Sequence, residues 1–224
     1  LYNISTDTVN LDGYAISDDI KELDKYILPD LSIAPGEYLI IFASGKNYVS
    51  DITFWETLVG NGQSAKYIIP NSQIDNNWIK TEFDDQNWNT GQYGIGYGDN
   101  DDNTIINNGT ISVFARSRFN ISDLQSIKNM FLHVDYDDGF VAYLNGIEIA
   151  RENINGESPI VFDQTANSYT EPRIPYDQYP WEKNITESIS VLNEGVNVLA
   201  LQVHNFSSTS SDFIFSWKRS PILN

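Results

Sequence analysis

The stretch GIGYGDNDDNT, Gly94 to Thr104, sets glycines at alternate positions and then runs into a nearly continuous acidic segment. A nucleotide loop of the G-x-G-x-x-G kind requires glycine where Asp99 stands, and a P-loop requires Gly-Lys-Ser/Thr, so neither phosphate template fits. Carboxylates would also repel phosphate. Asp99, Asp101 and Asn103 instead repeat the D-x-D-x-N opening of a calcium loop, which offers hard oxygen ligands at alternating positions. The template then breaks, because an EF-hand wants Gly at 104 and a bidentate Glu at 110 and both positions are Thr. Further ligands must come from elsewhere, and Asp135 and Asp137 of DYDDG, again spaced by two, are the second contributors. Calcium is thus the candidate cofactor. The competing use of the same residues is in plain turns, with Asp and Asn bonding their own backbone and Gly supplying positive φ.

A second chemistry is sugar recognition, which needs exposed rings to stack on C–H faces and polar side chains to orient hydroxyls. Tyr93 and Tyr97 flank the glycine loop, and the long segment Phe162 to Lys183 offers Tyr176, Tyr179 and Trp181 beside Arg173 and Glu171. Tryptophans also pin loops to a scaffold, and Trp88, in FDDQNW, is expected to do that. Arg116 and Arg118 share one strand face and are expected to pair with acids. Catalysis finds little support: His133 and His204 both fall inside predicted strands, and neither belongs to a metalloprotease or nucleophile motif. Carboxylate pairs are too abundant to signal a glycosidase. The chain is read as non-catalytic.

These groups must be positioned by a scaffold that reads as all-β. The 224 residues carry 13 Tyr, 11 Phe and 5 Trp, a composition that favours pleated, half-buried surfaces. Short apolar or alternating runs recur between Asn, Asp, Gly and Pro clusters, the pattern of a sandwich or barrel. Predicted strands are Glu37 to Ser44, Ala65 to Pro70, Thr110 to Phe119, Asn129 to Tyr136, Gly139 to Arg151 with a hairpin at Asn145-Gly146, Val196 to Asn205, and Asp212 to Lys218. In the Val196 strand, Gln202 and His204 are expected to emerge at a polar rim. In the last strand, Phe213, Phe215 and Trp217 share a face, which predicts an amphipathic strand near the outside. A loop of more than 20 residues, such as that from Phe162, is uncommon in a compact domain unless it has a task.

Net charge is -18 and spread along the chain, which argues against nucleic acid and anionic membranes as partners. There is no Cys, so neither disulfides nor thiolate metal sites contribute. No apolar run approaches the roughly 20 residues needed to span a bilayer, so membrane insertion is not expected. The chain opens at Leu1 inside an element and reads as a piece of something longer.

Two stretches resemble known families. LYNISTDTVNLDGYAISDD followed by KYILPDLSIAPGEYLIIFASGKN resembles the lamin-tail domain of bacterial extracellular proteins, an immunoglobulin-like β-sandwich. The family's opening strand is missing and its closing strands are not recognisable, so residues 1–52 are read as a partial module. Residues 53–224, through FDDQNW, GIGYGDNDD, VFARSRF, DYDDGFVAYLNGIEIAR, EGVNVLALQVHN and SSDFIFSWK, look like a galactose-binding-like β-jelly roll. Such a module accompanies lamin-tail domains in spore-coat-H-type kinase-like proteins and other large secreted bacterial proteins, although nothing here resembles the kinase-like part. The resemblance implies an extracellular or cell-surface accessory region beside other domains of a larger parent. Its expected partner is a polysaccharide or glycan; the alternative is a spacer or docking domain in an adhesin-like assembly that binds no sugar.

Overall fold

The computed structural model describes residues 1–28, 30–39, 41, 56–60, 62–98, 102–176 and 178–216. The chain divides into two compact units, Leu1–Trp55 and Glu56–Asn224. The boundary between residues 52 and 53 read from the sequence lies outside the described residues, as do Phe42 to Ser44 of the first predicted strand.

The first unit consists of two-residue strands, β1 (Val9–Asn10), β2 (Ala15–Ile16), β3 (Tyr26–Ile27) and β4 (Ser32–Ile33). β1 pairs with β4 and β2 with β3, both antiparallel. Leu11, Leu28 and Ile33 form a small core, with Val9, Leu31 and Leu39 packed against it. Buried Asn3 ties the N-terminal segment to that core by donating its side-chain amide to the carbonyls of Asp7 and Ile33, both at 2.8 Å.

The second unit is a β-sandwich built from β5 (Ser64–Ile68), β6 (Asn89–Gln92), β7 (Ile95–Tyr97), β8 (Thr104–Ile105), β9 (Ser112–Ile121), β10 (Phe131–Tyr136), β11 (Gly139–Leu144), β12 (Ile147–Glu152), β13 (Trp181–Asn184), β14 (Gly195–His204) and β15 (Phe213–Ser216). One sheet runs β12-β11-β14-β9-β5-β6 and the other β13-β10-β15-β7-β8. Every described pairing is antiparallel except β7 with β8. The Asn145-Gly146 hairpin forms as its residues require, with φ of 49° and 92°.

Inward-facing residues alternate along each strand, so Val113 and Ala115 of β9, Leu199, Leu201 and Val203 of β14, and Phe213 and Phe215 of β15 share one core. The other face of the six-stranded sheet is also buried. Phe114, Val141, Tyr143, Val198 and Ala200 project there and are covered by Trp78, Ile79, Trp88, Ile154 and Ile160 from flanking segments. Trp78 stacks on Phe114 with ring centroids 4.7 Å apart, and Trp88 packs beside it, the structural role expected for Trp88.

This second layer corrects two expectations. Gln202 and His204 do not reach a polar rim; both are fully buried, because the segment that follows β12 lies over them. Gln202 bonds both the N–H and the carbonyl of Ile160, and His204 bonds the Gln164 carbonyl at 2.6 Å, so these polar side chains satisfy the backbone of the covering loop. The second correction concerns β15, which is the central strand of its sheet and not an outer one. Phe213, Ile214 and Phe215 are all buried, and Trp217 lies outside the described residues.

Arg116 and Arg118 project from the same face of β9 and converge on Asp85, at 2.7 and 3.3 Å. Arg116 is itself buried and also bonds the carbonyls of Trp78 and Lys80. Burial pushes the Asp85 carboxyl up, but hydrogen bonds and charge from the two guanidiniums outweigh that and hold it below the usual carboxylate range. Within FDDQNW, Asp84 caps a backbone N–H, that of Gln86, whereas Asp85 anchors the covering segment to the sheet. Asp85→Ala should therefore destabilise the fold by about 3–5 kcal/mol, since it strands a buried cation. Arg118→Ala, at a side chain 43% exposed, should cost no more than about 1 kcal/mol. Urea unfolding of the two variants measures this contrast, and equal losses would show that the pair is not the anchor.

Candidate functional site

The groups singled out by the sequence separate once placed on the sandwich. Tyr93 is 0% exposed and its hydroxyl meets that of Ser117 at 2.7 Å; Tyr97 is 2% exposed and packs on Phe213. Both rings belong to the inner core and present no face to a sugar, which removes them from the glycan set. They alternate with Gly94, Gly96 and Gly98 because β7 is a strand whose glycines admit close neighbours: a Cβ on Gly96 would collide with the Phe213 carbonyl and the Asp102 side chain. Trp181 is half-buried and meets Phe140 edge-on at 5.1 Å, anchoring the long loop.

Tyr176 and Tyr179 differ, being 59% and 78% exposed. Arg173 is exposed beside them. Two open grooves of the second unit, about 310 and 430 Å³, are lined by other residues, so a ligand of these tyrosines would lie against an exposed loop.

Of the calcium candidates, Asp99 and Asp101 lie outside the described residues. Asn103 pins the start of its own loop: its side-chain amide donates to the Tyr93 carbonyl at 2.6 Å, and its backbone N–H to Gly94 at 2.8 Å.

The β10–β11 turn, Asp135 to Gly139, carries the most charged chemistry. Asp135 accepts the N–H groups of Arg173 at 2.7 Å and Ile174 at 3.0 Å, one on each carboxylate oxygen. Both oxygens thus hold the aromatic loop, a structural task that the spacing of the acids did not show. Asp138, which the sequence reading passed over, accepts Thr170 N–H at 2.8 Å on one oxygen and Phe206 N–H at 2.6 Å on the other. It thereby joins the aromatic loop to the β14–β15 loop.

Asp137 stands between these two clamps. It is 1% exposed, and neither of its carboxylate oxygens meets a donor among the described residues. Burial pushes its carboxyl far up, to about 9, with like charge from Asp138, Asp212 and Glu171 adding to the effect.

Such a group is relieved by a proton or by a cation. Unpartnered oxygens amid acidic neighbours match a hard divalent ion, which takes carboxylates, carbonyls and water as ligands. Among the described residues no three His, Asp or Glu side chains are gathered for a metal, so a cation at Asp137 would need carbonyl or water oxygens as well. Asp138 and Asp212 were the acids missed in sequence. Three acids within DYDDG signalled crowding there, but Asp212 joins them only through the fold.

No family model matches the chain, and no curated protein matches it. Similar solved structures include a β-glucuronidase from glycoside hydrolase family 2, at 16% identity and a TM-score of 0.38, covering 65% of this chain and 14% of that one. The Bifidobacterium dentium β-glucuronidase complexed with coumarin-3-O-glucuronide matches at 11% identity and a TM-score of 0.41, covering 64% and 19%. A β-D-mannosidase from Dictyoglomus thermophilum matches at 13% and 0.35, covering 64% and 15%. The chain thus spans less than a quarter of the length of each.

The buried carboxyl makes stability depend on pH. The folded Asp137 holds its proton up to about 9, whereas the unfolded side chain loses it near 3.8, so stability falls as pH rises through that range. Burial holds His204 at about 4 against an ordinary 6.5, and its effect, lost as pH falls, is confined below 6.5. Between pH 6.5 and 9 in chelator, stability should drop with pH by up to about 1.4 kcal/mol per unit, one proton's worth. Asp137→Asn should flatten the slope. Urea midpoints across that window test this, and a slope that survives the substitution would place the proton elsewhere.

Proposed function

We propose that this chain is a non-catalytic accessory region of a large secreted or cell-surface bacterial protein. Its β-sandwich binds glycan through the exposed tyrosines of the 162–180 loop and is stabilised by calcium at the β10–β11 turn. The observation that carries this reading is the division of labour in DYDDG. Asp135 and Asp138 hold the loop that displays Tyr176 and Tyr179, while Asp137 is left buried without a donor among the described residues. Calcium at Asp137 would supply the missing positive charge. The likeness of residues 1–47 to lamin-tail modules, and of the second unit to galactose-binding-like modules, supports the extracellular location and the accessory role. The net charge of -18 supports a partner other than nucleic acid, and no described helix is long and apolar enough to cross a membrane.

A second reading, a docking or spacer domain, draws on the first unit. Ile4 and Ile20 there are 88% and 86% exposed above a core of three buried residues. Single exposed apolar side chains are ordinary, but the first unit also exposes Tyr14, Leu23, Ile27 and Tyr38, and so many in so small a unit favour contact with another protein surface.

A glycan array run in calcium and in chelator separates the two. The glycan reading expects calcium-dependent binding to a defined sugar, lost in a Tyr176→Ala/Tyr179→Ala variant whose melting temperature is unchanged. Silence from folded protein in both conditions favours docking. Calcium at about a hundredfold excess over its Kd should stabilise the wild type by about 2.7 kcal/mol. Asp137→Asn should abolish that gain, and calcium stabilisation that persists in the variant would move the cation away from this turn.

A further inference from the structure

Strand register brings several loops together at one end of the sandwich. Ser112 of β9 stands opposite His204 of β14, His204 opposite Gly139 of β11, and Ile68 of β5 opposite Phe114. The segments after Ile68, before Ser112, after His204 and before Gly139 therefore all leave the six-stranded sheet at the same end. Trp181 pairs with Val134 near the close of β10, so the aromatic loop enters β13 at that end too. Hydrogen bonds join these segments. Ser112 Oγ donates to the Phe162 carbonyl at 2.6 Å. Asn205 donates its N–H to the Ile111 carbonyl at 2.8 Å, and its carbonyl accepts the Ala166 N–H at 3.0 Å. The next residue, Phe206, shares the Asp138 carboxylate with Thr170.

Among the described residues of the second unit, the aromatic rings that stand well out in water are Phe206, Tyr169, Tyr176 and Tyr179, at 45, 56, 59 and 78% exposure. All of them belong to the loops at this end. Beside the start of the aromatic loop lies the open groove of about 310 Å³, where half-buried Ile69, Pro70 and Phe162 are bordered by exposed Asn108 and Asp163. From the end of β5 to the start of β11 the sheet counts three strand spacings, about 14 Å.

We propose that this end of the sandwich is one extended site for the interior of an uncharged polysaccharide chain, running from the groove at Phe162 past Phe206 and Tyr169 to Tyr176 and Tyr179. The proposal rests on the glycan reading and adds to it the length and charge of the ligand. Successive rings cover the apolar faces of successive sugars, while Asn108, Asp163, Glu171 and Arg173 meet their hydroxyls. An open groove does not stop the chain at a terminal sugar. Charge selects against acidic chains: Arg173 is the only basic residue from 162 to 180, against Asp163, Glu171 and Asp177, in a protein of net charge -18.

The test is affinity gel electrophoresis of the full chain on galactomannan, xyloglucan, mixed-linkage β-glucan and polygalacturonate, then calorimetry with tri- and hexasaccharides of the neutral polymer that retards it. The expected result is retardation by a neutral polymer, none by polygalacturonate, and about tenfold or more tighter binding of the hexasaccharide than of the trisaccharide. Tyr169→Leu/Phe206→Leu, which keeps apolar bulk and removes both flat rings, should weaken the hexasaccharide by about tenfold and leave the trisaccharide and the melting temperature unchanged. Asp163→Ala, at an exposed side chain of the groove, keeps the proposal testable if that variant does not fold, and should weaken the hexasaccharide alone. Equal affinity for the two lengths, a Leu variant that binds the hexasaccharide as the wild type does, or array binding without retardation by any polymer overturns the extended site and leaves a short glycan site standing. Retardation by polygalacturonate alone overturns the choice of an uncharged chain. No retardation, together with silence of the folded protein on the array, removes the glycan reading and the extended site together.

Discussion

Strands β9 and β14 pair over ten residues each, and over most of that length both faces of the pair are withdrawn from water. A strand so placed has no solvated side, so the chain must cover it twice. The five-stranded sheet covers one face. The other face is closed by segments with little regular structure, and these supply Trp78, Trp88, Ile154 and Ile160. Polar atoms trapped under such a cover need partners, and the sheet provides them: Arg116 for the carbonyls near Trp78, Gln202 and His204 for the segment after β12. Buried polar groups here register one layer on another, because each is satisfied only when the covering segment sits in one place.

The same constraint produces the site. The β10–β11 turn crosses from one sheet to the other, and the loops that meet it carry backbone N–H groups that need acceptors. Asp135 and Asp138 meet that need with all four of their oxygens. Crowding three acids into four residues then leaves Asp137 in a dry setting with its like-charged neighbours. A carboxylate in that position is costly to the fold. Three neighbouring acids thus have separate fates: two build the loops and the third is left without a donor among the described residues.

The tyrosines follow a parallel division. Those in a strand are core residues whose hydroxyls find internal partners, as Tyr93 does with Ser117. Tyr176 and Tyr179, in a loop between docked segments, stay in water. The sandwich fixes the loop, and the loop presents the rings.

How far this was legible in the residues depends on the range of the interactions involved. Alternation of apolar side chains, the Asn145-Gly146 hairpin and the spacing of turn residues are local, and from them the all-β class and seven of the eleven sandwich strands could be read, whereas the short strands β6, β7, β8 and β13, set in glycine-rich or loop-like stretches, could not. The pairing of Arg116 and Arg118 with an acid, and the structural use of Trp88, were likewise legible from side-chain chemistry. Whether a polar residue ends in water was not. Gln202, His204, Tyr93 and Tyr97 are buried because distant segments fold over them, and no pattern within their own strands records that cover. The separate fates of Asp135, Asp137 and Asp138 were equally hidden, since three acids in one turn look alike until amides from residues 170–174 and 206 choose two of them. Local periodicity determined the strands, while tertiary structure alone decided which charges are satisfied, because a carboxylate's partners come from wherever the chain returns and not from its neighbours in sequence.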